Sequence, residues 1–244
     1  MQLPFLENKK NILNSVLLVL LIISVVANQT VLTNTKKLIG VKQSFLPSLG
    51  SIKLFSSAKL TGNLSEDATK ISFVHGIPEK YGPELNVNFD EVQGGIDVMK
   101  QYDPGYGRQK ISLSDEEKQR YISVGRKISC EYCCGVDGIV FANGEAACGC
   151  AHSQAMRGLA AYLIKNHGSE YTDDQILREL ARWKGRYFPK QMVQKTMDQI
   201  QNGKYTPDIA ALLLDTKLPK YGANDTKAPT KSDIDNAPGM VGGC

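Results

Sequence analysis

Hydrophobic and polar positions follow different rules in different parts of this chain. Near the start, Lys9 and Lys10 precede an almost unbroken apolar run, Ile12 to Ala27 (ILNSVLLVLLIISVVA). The run suits a signal-peptide core and falls short of the roughly 20 residues of a spanning helix. Residues 1–27 therefore read as a signal peptide, cleaved after Ala27, or as a membrane anchor with its lysines on the cytoplasmic side. Residues 28–68 show no steady period and are rich in Asn, Thr, Ser, Gly and Lys, which predicts a linker with a short strand near Ile52–Phe55. Residues 69–110 read as a small loop-rich or α+β unit. It has a strand over Lys70–Val74 and a helix carrying Val92, Ile96, Met99 and Tyr102, capped by Asn88 or Asp90 and weakened by Gly94 and Gly95.

Helical periodicity then takes over. Ser114 and Glu117 form a capping box for a helix with Tyr121, Val124 and Ile128 on one stripe. A second helix opens near Cys148 or Cys150, buries Leu159, Tyr162 and Leu163, and stops at Gly168. A third starts at the Thr172–Gln175 box and carries Ile176, Leu177, Leu180 and Trp183. Pro189 punctuates it, and Met192, Val193, Met197 and Ile200 continue the pattern in a fourth helix, to Gly203. Residues 111–204 are thus a helical domain, and 205–244 a tail with a short helix near Ile209–Leu214. The fold class is mainly α.

The chemistry concentrates between Cys130 and His152. Five of the six cysteines fall there, as C-x-x-C-C (Cys130, Cys133, Cys134) and C-x-C-x-H (Cys148, Cys150, His152). Asp137-Gly138 and Asn143-Gly144 flank the apolar Ile139-Val140-Phe141, which predicts a spacer that folds back and joins the clusters. Soft donors so arranged suit a metal site, with Cys130, Cys133, Cys134, Cys148, Cys150 and His152 as candidate ligands. Met156 falls one turn beyond His152, as an added donor or a core residue. Cys244 is the final residue, read as a ligand returning to the cluster, a bridge to another chain or a lone thiol. Thiolate excess favours copper(I), with zinc close behind. The alternative is a disulfide framework, whose pairing the sequence does not choose. A bridge between adjacent Cys133 and Cys134, or between Cys148 and Cys150, is disfavoured, because a disulfide needs roughly 5.5 Å between Cα atoms.

Other features exclude more than they add. The chain has 244 residues and a net charge of +4, which gives no basis for a nucleic-acid partner. A c-type haem needs C-x-x-C-H, a Rieske centre needs a second histidine box, and a thioredoxin-like motif needs a βαβ context; none is present. His75 stands apart, as a surface or core histidine or a further donor. Arg178, Arg182, Lys184, Arg186, Lys190 and Lys195 read as a solvated helix face or as a docking face for an anionic surface. No catalytic constellation stands out, so no enzyme is predicted.

Tyr132-Cys133-Cys134-Gly135, the later Cys148 and Cys150 and the helices that follow resemble exported bacterial proteins named for a PCYCGC motif. The likeness covers about residues 130–190. No proline precedes the first cysteine here, and Cys-Cys-Gly replaces Cys-Gly-Cys. The resemblance implies an exported Cys/His domain and no particular reaction. Two readings result: an extracytoplasmic copper- or zinc-binding protein, anchored in the membrane or secreted, or a disulfide-stabilised structural protein of the cell envelope with an envelope partner.

Overall fold

The computed structural model describes residues 60–222 and 238–243. The apolar run Ile12–Ala27, the strand expected at Ile52–Phe55 and Cys244 lie outside the described residues. Within them the chain forms eight α-helices: α1 (Leu64–Ser72), α2 (Tyr81–Leu85), α3 (Val92–Met99), α4 (Asp115–Gly125), α5 (Ala151–His167), α6 (Asp173–Tyr187), α7 (Pro189–Asn202) and α8 (Pro207–Leu212). A 3-10 turn, Lys100–Tyr102, extends α3. The described residues hold no strand, only an isolated bridge between Val140 and Ala146. The mainly α class is borne out. None of the described helices is long and apolar enough to cross a membrane.

The first correction is at α1. Its start at Leu64 falls inside the stretch read as linker, and its end takes Lys70–Ser72 from the expected strand. Asn63 caps it by accepting the Glu66 N–H at 3.1 Å. Leu64 and Ala68, one turn apart, bury against Val193, Met197 and Ile200 of α7. The region of residues 69–110 accordingly holds short helices joined by loops, with no strand among the described residues. α3 starts at Val92 after Glu91, with no side-chain cap, so neither Asn88 nor Asp90 serves. Gly95 in α3 is required by packing, because a Cβ there would drive into the ring of buried Trp183.

The two capping boxes form as predicted, Ser114–Glu117 on α4 and Thr172–Gln175 on α6. Gly168 follows α5 with an ordinary helical φ of −59°, so it is not a left-handed terminator. The chain instead turns there under Arg120, whose guanidinium donates to the Gly168 and Tyr171 carbonyls and to Asp173. Helix α5 is the centre of the core. Ala155, Leu159, Ala160, Leu163 and Ile164 are buried in one cluster with residues of α3, α4 and α6, each large aliphatic contributing about 1.5–3 kcal/mol. Gly158 lets α5 meet the Met99 carbonyl, which any Cβ would strike.

The basic residues of α6 and α7 form no solvated face. Arg182, Lys184 and Arg186 are buried. Arg182 pairs with Glu179, Lys184 with Glu131 and Asp208, and Arg186 with Asp90. Lys195 joins Glu131 and Asp208, and Arg178 faces Asp215. Only Lys190 of the set is exposed without contradiction of the expectation. The cause is the central position of α6: its cations meet carboxylates arriving from several neighbouring segments, and an unpaired buried charge would cost far more.

Candidate metal centre at the cysteine loop

Residues 126–150 join α4 to α5, and their course is fixed by backbone bonds and two buried apolar anchors. The Cys130 carbonyl accepts the N–H groups of Cys133 (2.9 Å) and Cys134 (3.0 Å), which winds C-x-x-C-C into one tight turn. Gly135 leaves that turn at φ +66°, a conformation that side chains resist. Ile139 and Val140 are buried in the main core, and the Ile139 N–H lies 2.9 Å from both the Gly125 and Ile128 carbonyls. Phe141 N–H donates to Glu145 (2.8 Å), and Ala147 N–H returns to Ile139 (3.1 Å). The predicted fold-back is therefore present. Asn143-Gly144 makes the turn, with Gly144 at φ +83°. Gly138 is small for another reason: a Cβ there would lie 3.1 Å from the Gly125 carbonyl oxygen.

The fold-back brings the two clusters together. Cys134 and Cys148 form a disulfide, with Cα atoms 6.7 Å apart. It runs between the clusters, so neither of the cramped pairings within a cluster occurs. The sulfurs of Cys133, Cys134 and Cys150 lie within 4.8 Å of one another, a group that could hold a metal ion once the Cys134 sulfur is released from the bridge. Cys133 is exposed, Cys150 half-buried and Cys130 fully buried. Cys150 is the N-cap of α5, and its sulfur accepts the Ser153 N–H at 3.4 Å where a hydroxyl more commonly stands.

One proton is shared unequally between two of these sulfurs. The Cys130 thiol donates to Cys150 and holds that thiol far below its ordinary range, at about 4. Burial opposes the shift, and His152 and the Ser153 N–H reinforce it. The N-terminal end of α5 acts in the same direction. Cys130 is pushed up, first by the same bond and then by burial. The bond between them favours the proton on Cys130 over Cys150.

His152 is fully buried. Its Nε2 lies 2.9 Å from the Val241 carbonyl oxygen. Its Nδ1 has no hydrogen-bond partner among the described residues. The ring stands against Tyr187 and Phe188, with centroids 4.7 and 5.1 Å away. The Tyr187 hydroxyl is likewise buried and unpartnered among the described residues.

Buried cations hold the loop from beneath. Arg157 pairs with Asp103 through two bonds (3.0 and 2.7 Å) and donates to the Cys148 carbonyl (2.8 Å) and the Ile139 carbonyl (3.2 Å). Lys184 and Lys195 both grip Glu131, the residue after Cys130, and both reach Asp208. For Asp208, burial favours the neutral acid, but the two lysines outweigh it and hold the carboxyl well below its usual range.

Cys130, Cys133, Cys134, Cys148, Cys150 and His152 thus gather in one place. Met156 is buried in the apolar core. Because α5 begins only at Ala151, Cys148 lies off the helix and shares no face with His152 and Met156. His75 is elsewhere, paired with Asp90 at 2.7 Å. Cys244 lies outside the described residues, although residues 238–243 return to α5 and α6. Arg157, Tyr187 and Val241 carry no signal in the cysteine spacing and emerge only from the fold. Comparison of the chain with protein-family models, with curated proteins and with solved structures finds no match.

Proposed function

We propose that this chain is an extracytoplasmic metal-binding protein whose cysteine loop holds a soft ion, copper(I) first and zinc second, for storage, delivery or sensing. The observation that carries the reading is the grouping of the Cys133, Cys134 and Cys150 sulfurs within 4.8 Å. Two sulfurs bound to one ion at about 2.3 Å are at most about 4.6 Å apart, so little movement is needed. Cys150 supplies a thiolate without losing a proton at neutral pH, Cys133 is open to solvent, and the bare Nδ1 of His152 adds a borderline donor. The disulfide withholds Cys134 and Cys148; exchange with an external dithiol, itself oxidised to a disulfide, converts it to two thiols and enlarges the donor set. Cys244 is proposed as a further ligand.

Export rests on the lysine-flanked apolar run, supported by the resemblance to PCYCGC-motif proteins. Retention at the membrane by that run is preferred to release, and mature protein beginning at Asn28 would refute the anchor.

The disulfide-stabilised envelope protein is the second reading, and the Cys134–Cys148 bridge is the observation that favours it. Metal analysis of protein purified without chelator, then a copper(I) and zinc competition titration after reduction, separates the two. Tight copper(I) binding that a Cys133→Ser, Cys148→Ser double variant loses supports the metal site. Reduced protein that binds neither ion leaves the structural reading.

A further inference from the structure

The C-terminal segment touches the site at one residue, from both sides of its peptide. Val241 N–H donates to the Tyr187 carbonyl of α6 at 2.8 Å. Its carbonyl oxygen faces His152 Nε2 of α5 at 2.9 Å. The next residue, Gly242, turns at φ +71° above Ile96, and the Gly243 N–H reaches Gln93 of α3 at 3.3 Å. Residues 238–243 therefore lie as a strap across α3, α5 and α6, pinned on each side of Val241.

A carbonyl oxygen only accepts. The ring nitrogen that meets it must carry the hydrogen, so neutral His152 is protonated at Nε2 and has its lone pair on Nδ1. That Nδ1 is buried and bonded to nothing among the described residues. A buried acceptor left unsatisfied is costly, and a ligand at that position would satisfy it.

We infer that the strap is a positioning element for the site: the Val241 carbonyl fixes the His152 tautomer and makes Nδ1 the nitrogen presented to a metal ion beside the cysteine sulfurs. That the acceptor of Nδ1 is a metal rests on the function proposed above; the tautomer and its dependence on the strap do not. Histidine ligands are commonly oriented in this way by a carbonyl on the other ring nitrogen. Here that carbonyl comes from 89 residues away in the chain.

The test has two arms. In metal-free, reduced, nitrogen-15-labelled protein at about pH 8, above the ordinary imidazole range, a long-range correlation spectrum reads the tautomer of His152 directly. Hydrogen on Nε2 and a bare Nδ1 are expected; hydrogen on Nδ1 overturns the inference, whatever the protein does with metal. In the second arm Gly242→Val, strained at that φ and driven against Ile96, is compared with Cys244→Ser, which leaves the strap in place. Gly242→Val should mix the tautomers and weaken copper(I) binding by about 10–100-fold, with an unchanged far-ultraviolet spectrum, while Cys244→Ser keeps the wild-type tautomer. Wild-type tautomer and affinity in folded Gly242→Val would refute the strap's role and leave the metal site standing. Should Gly242→Val not fold, the wild-type tautomer still decides. A wild-type protein with the Nε2–H tautomer but no affinity for copper(I) or zinc would uphold the positioning and defeat the metal reading.

Discussion

The platform of α5 and α6 and the cysteine loop that it carries are held by opposite means. In the platform, apolar side chains interlock, and glycines such as Gly158 and Gly95 mark where another group presses against a helix. In the loop, Ile128, Cys130, Ile139 and Val140 are buried in the main core, with Tyr132 and Cys150 packed against it. The rest is tied by polar contacts from below, Arg157 to two loop carbonyls and Lys184 with Lys195 to Glu131. A packed platform can therefore position donors that have almost no regular structure of their own. Buried cations make the connection, because each reaches several oxygens from one rigid helix.

Arg157 tests that division most severely. It and Asp103 are both fully buried, and the guanidinium also serves the carbonyls of Cys148 and Ile139. Arg157→Met leaves Asp103 uncompensated, which should cost about 3–5 kcal/mol in urea-induced unfolding. The sulfur group should loosen with it, seen as faster alkylation of buried Cys130. A loss below about 1 kcal/mol would mean that the loop supports itself.

The next effect belongs to the loop alone. The Cys134–Cys148 bridge spans 14 residues of sequence, and closing a loop of that size contributes about 3 kcal/mol. The Cys134→Ser, Cys148→Ser double variant should lose that amount against oxidised wild type while α5 to α7 keep their far-ultraviolet signal. Equal stability of the two would remove the disulfide from the account of how the loop is held.

The same division governs what the sequence could reveal. Capping boxes at Ser114 and Thr172 are local, four residues each, and both are formed. The apolar stripe of α1 is just Leu64, Ala68 and the half-buried Ile71 within a polar stretch, and its partner is α7, more than a hundred residues on, so periodicity alone suggests a linker and a strand. The cations of α6 and α7 read as a solvated face because, apart from Glu179 three residues before Arg182, nothing local shows that Glu131, Asp208 and Asp90 come to meet them. Clustered cysteines were legible, since five donors within a short stretch joined by a turn have few places to go. Their pairing was not, nor was the carbonyl of Val241, which carries no side-chain signature at all.

Lys184 offers a finer cut, with pH as a second variable. It is buried between Asp208 and Glu131, and Lys195 reaches the same two carboxylates. Lys184→Met should cost about 1.5–3 kcal/mol, the range of a hydrogen bond to a charged group. The folded Asp208 carboxyl titrates below its unfolded value. Its contribution is therefore fully present above the ordinary aspartate pKa of about 3.9 and is lost as pH falls below it. Stability measured from neutral pH down to about pH 2 should fall less steeply in Lys184→Met than in wild type. Parallel curves would show that other carboxylates govern the acid response.

The smallest effects separate loop from platform by sign. Gly135 in the loop and Gly94 in α3 are both exposed, and a Cβ at either position would meet nothing within 4 Å. Space cannot distinguish them; backbone conformation can. Gly135 has φ +66°, where an L-residue costs about 1–2 kcal/mol, so Gly135→Ala should destabilise by that amount and Gly135→Asn by less. Gly94 lies within the helix Val92–Met99, where alanine is favoured over glycine by about 0.8–1 kcal/mol, so Gly94→Ala should raise the melting temperature. Two exposed, uncrowded glycines would then respond in opposite directions, one because the loop needs a left-handed turn beside its sulfurs, the other because the helix does not. If Gly135→Ala were neutral, the turn out of C-x-x-C-C would be free to rearrange, and the spacing of Cys133, Cys134 and Cys150 would have to be held by the disulfide and the buried cations alone.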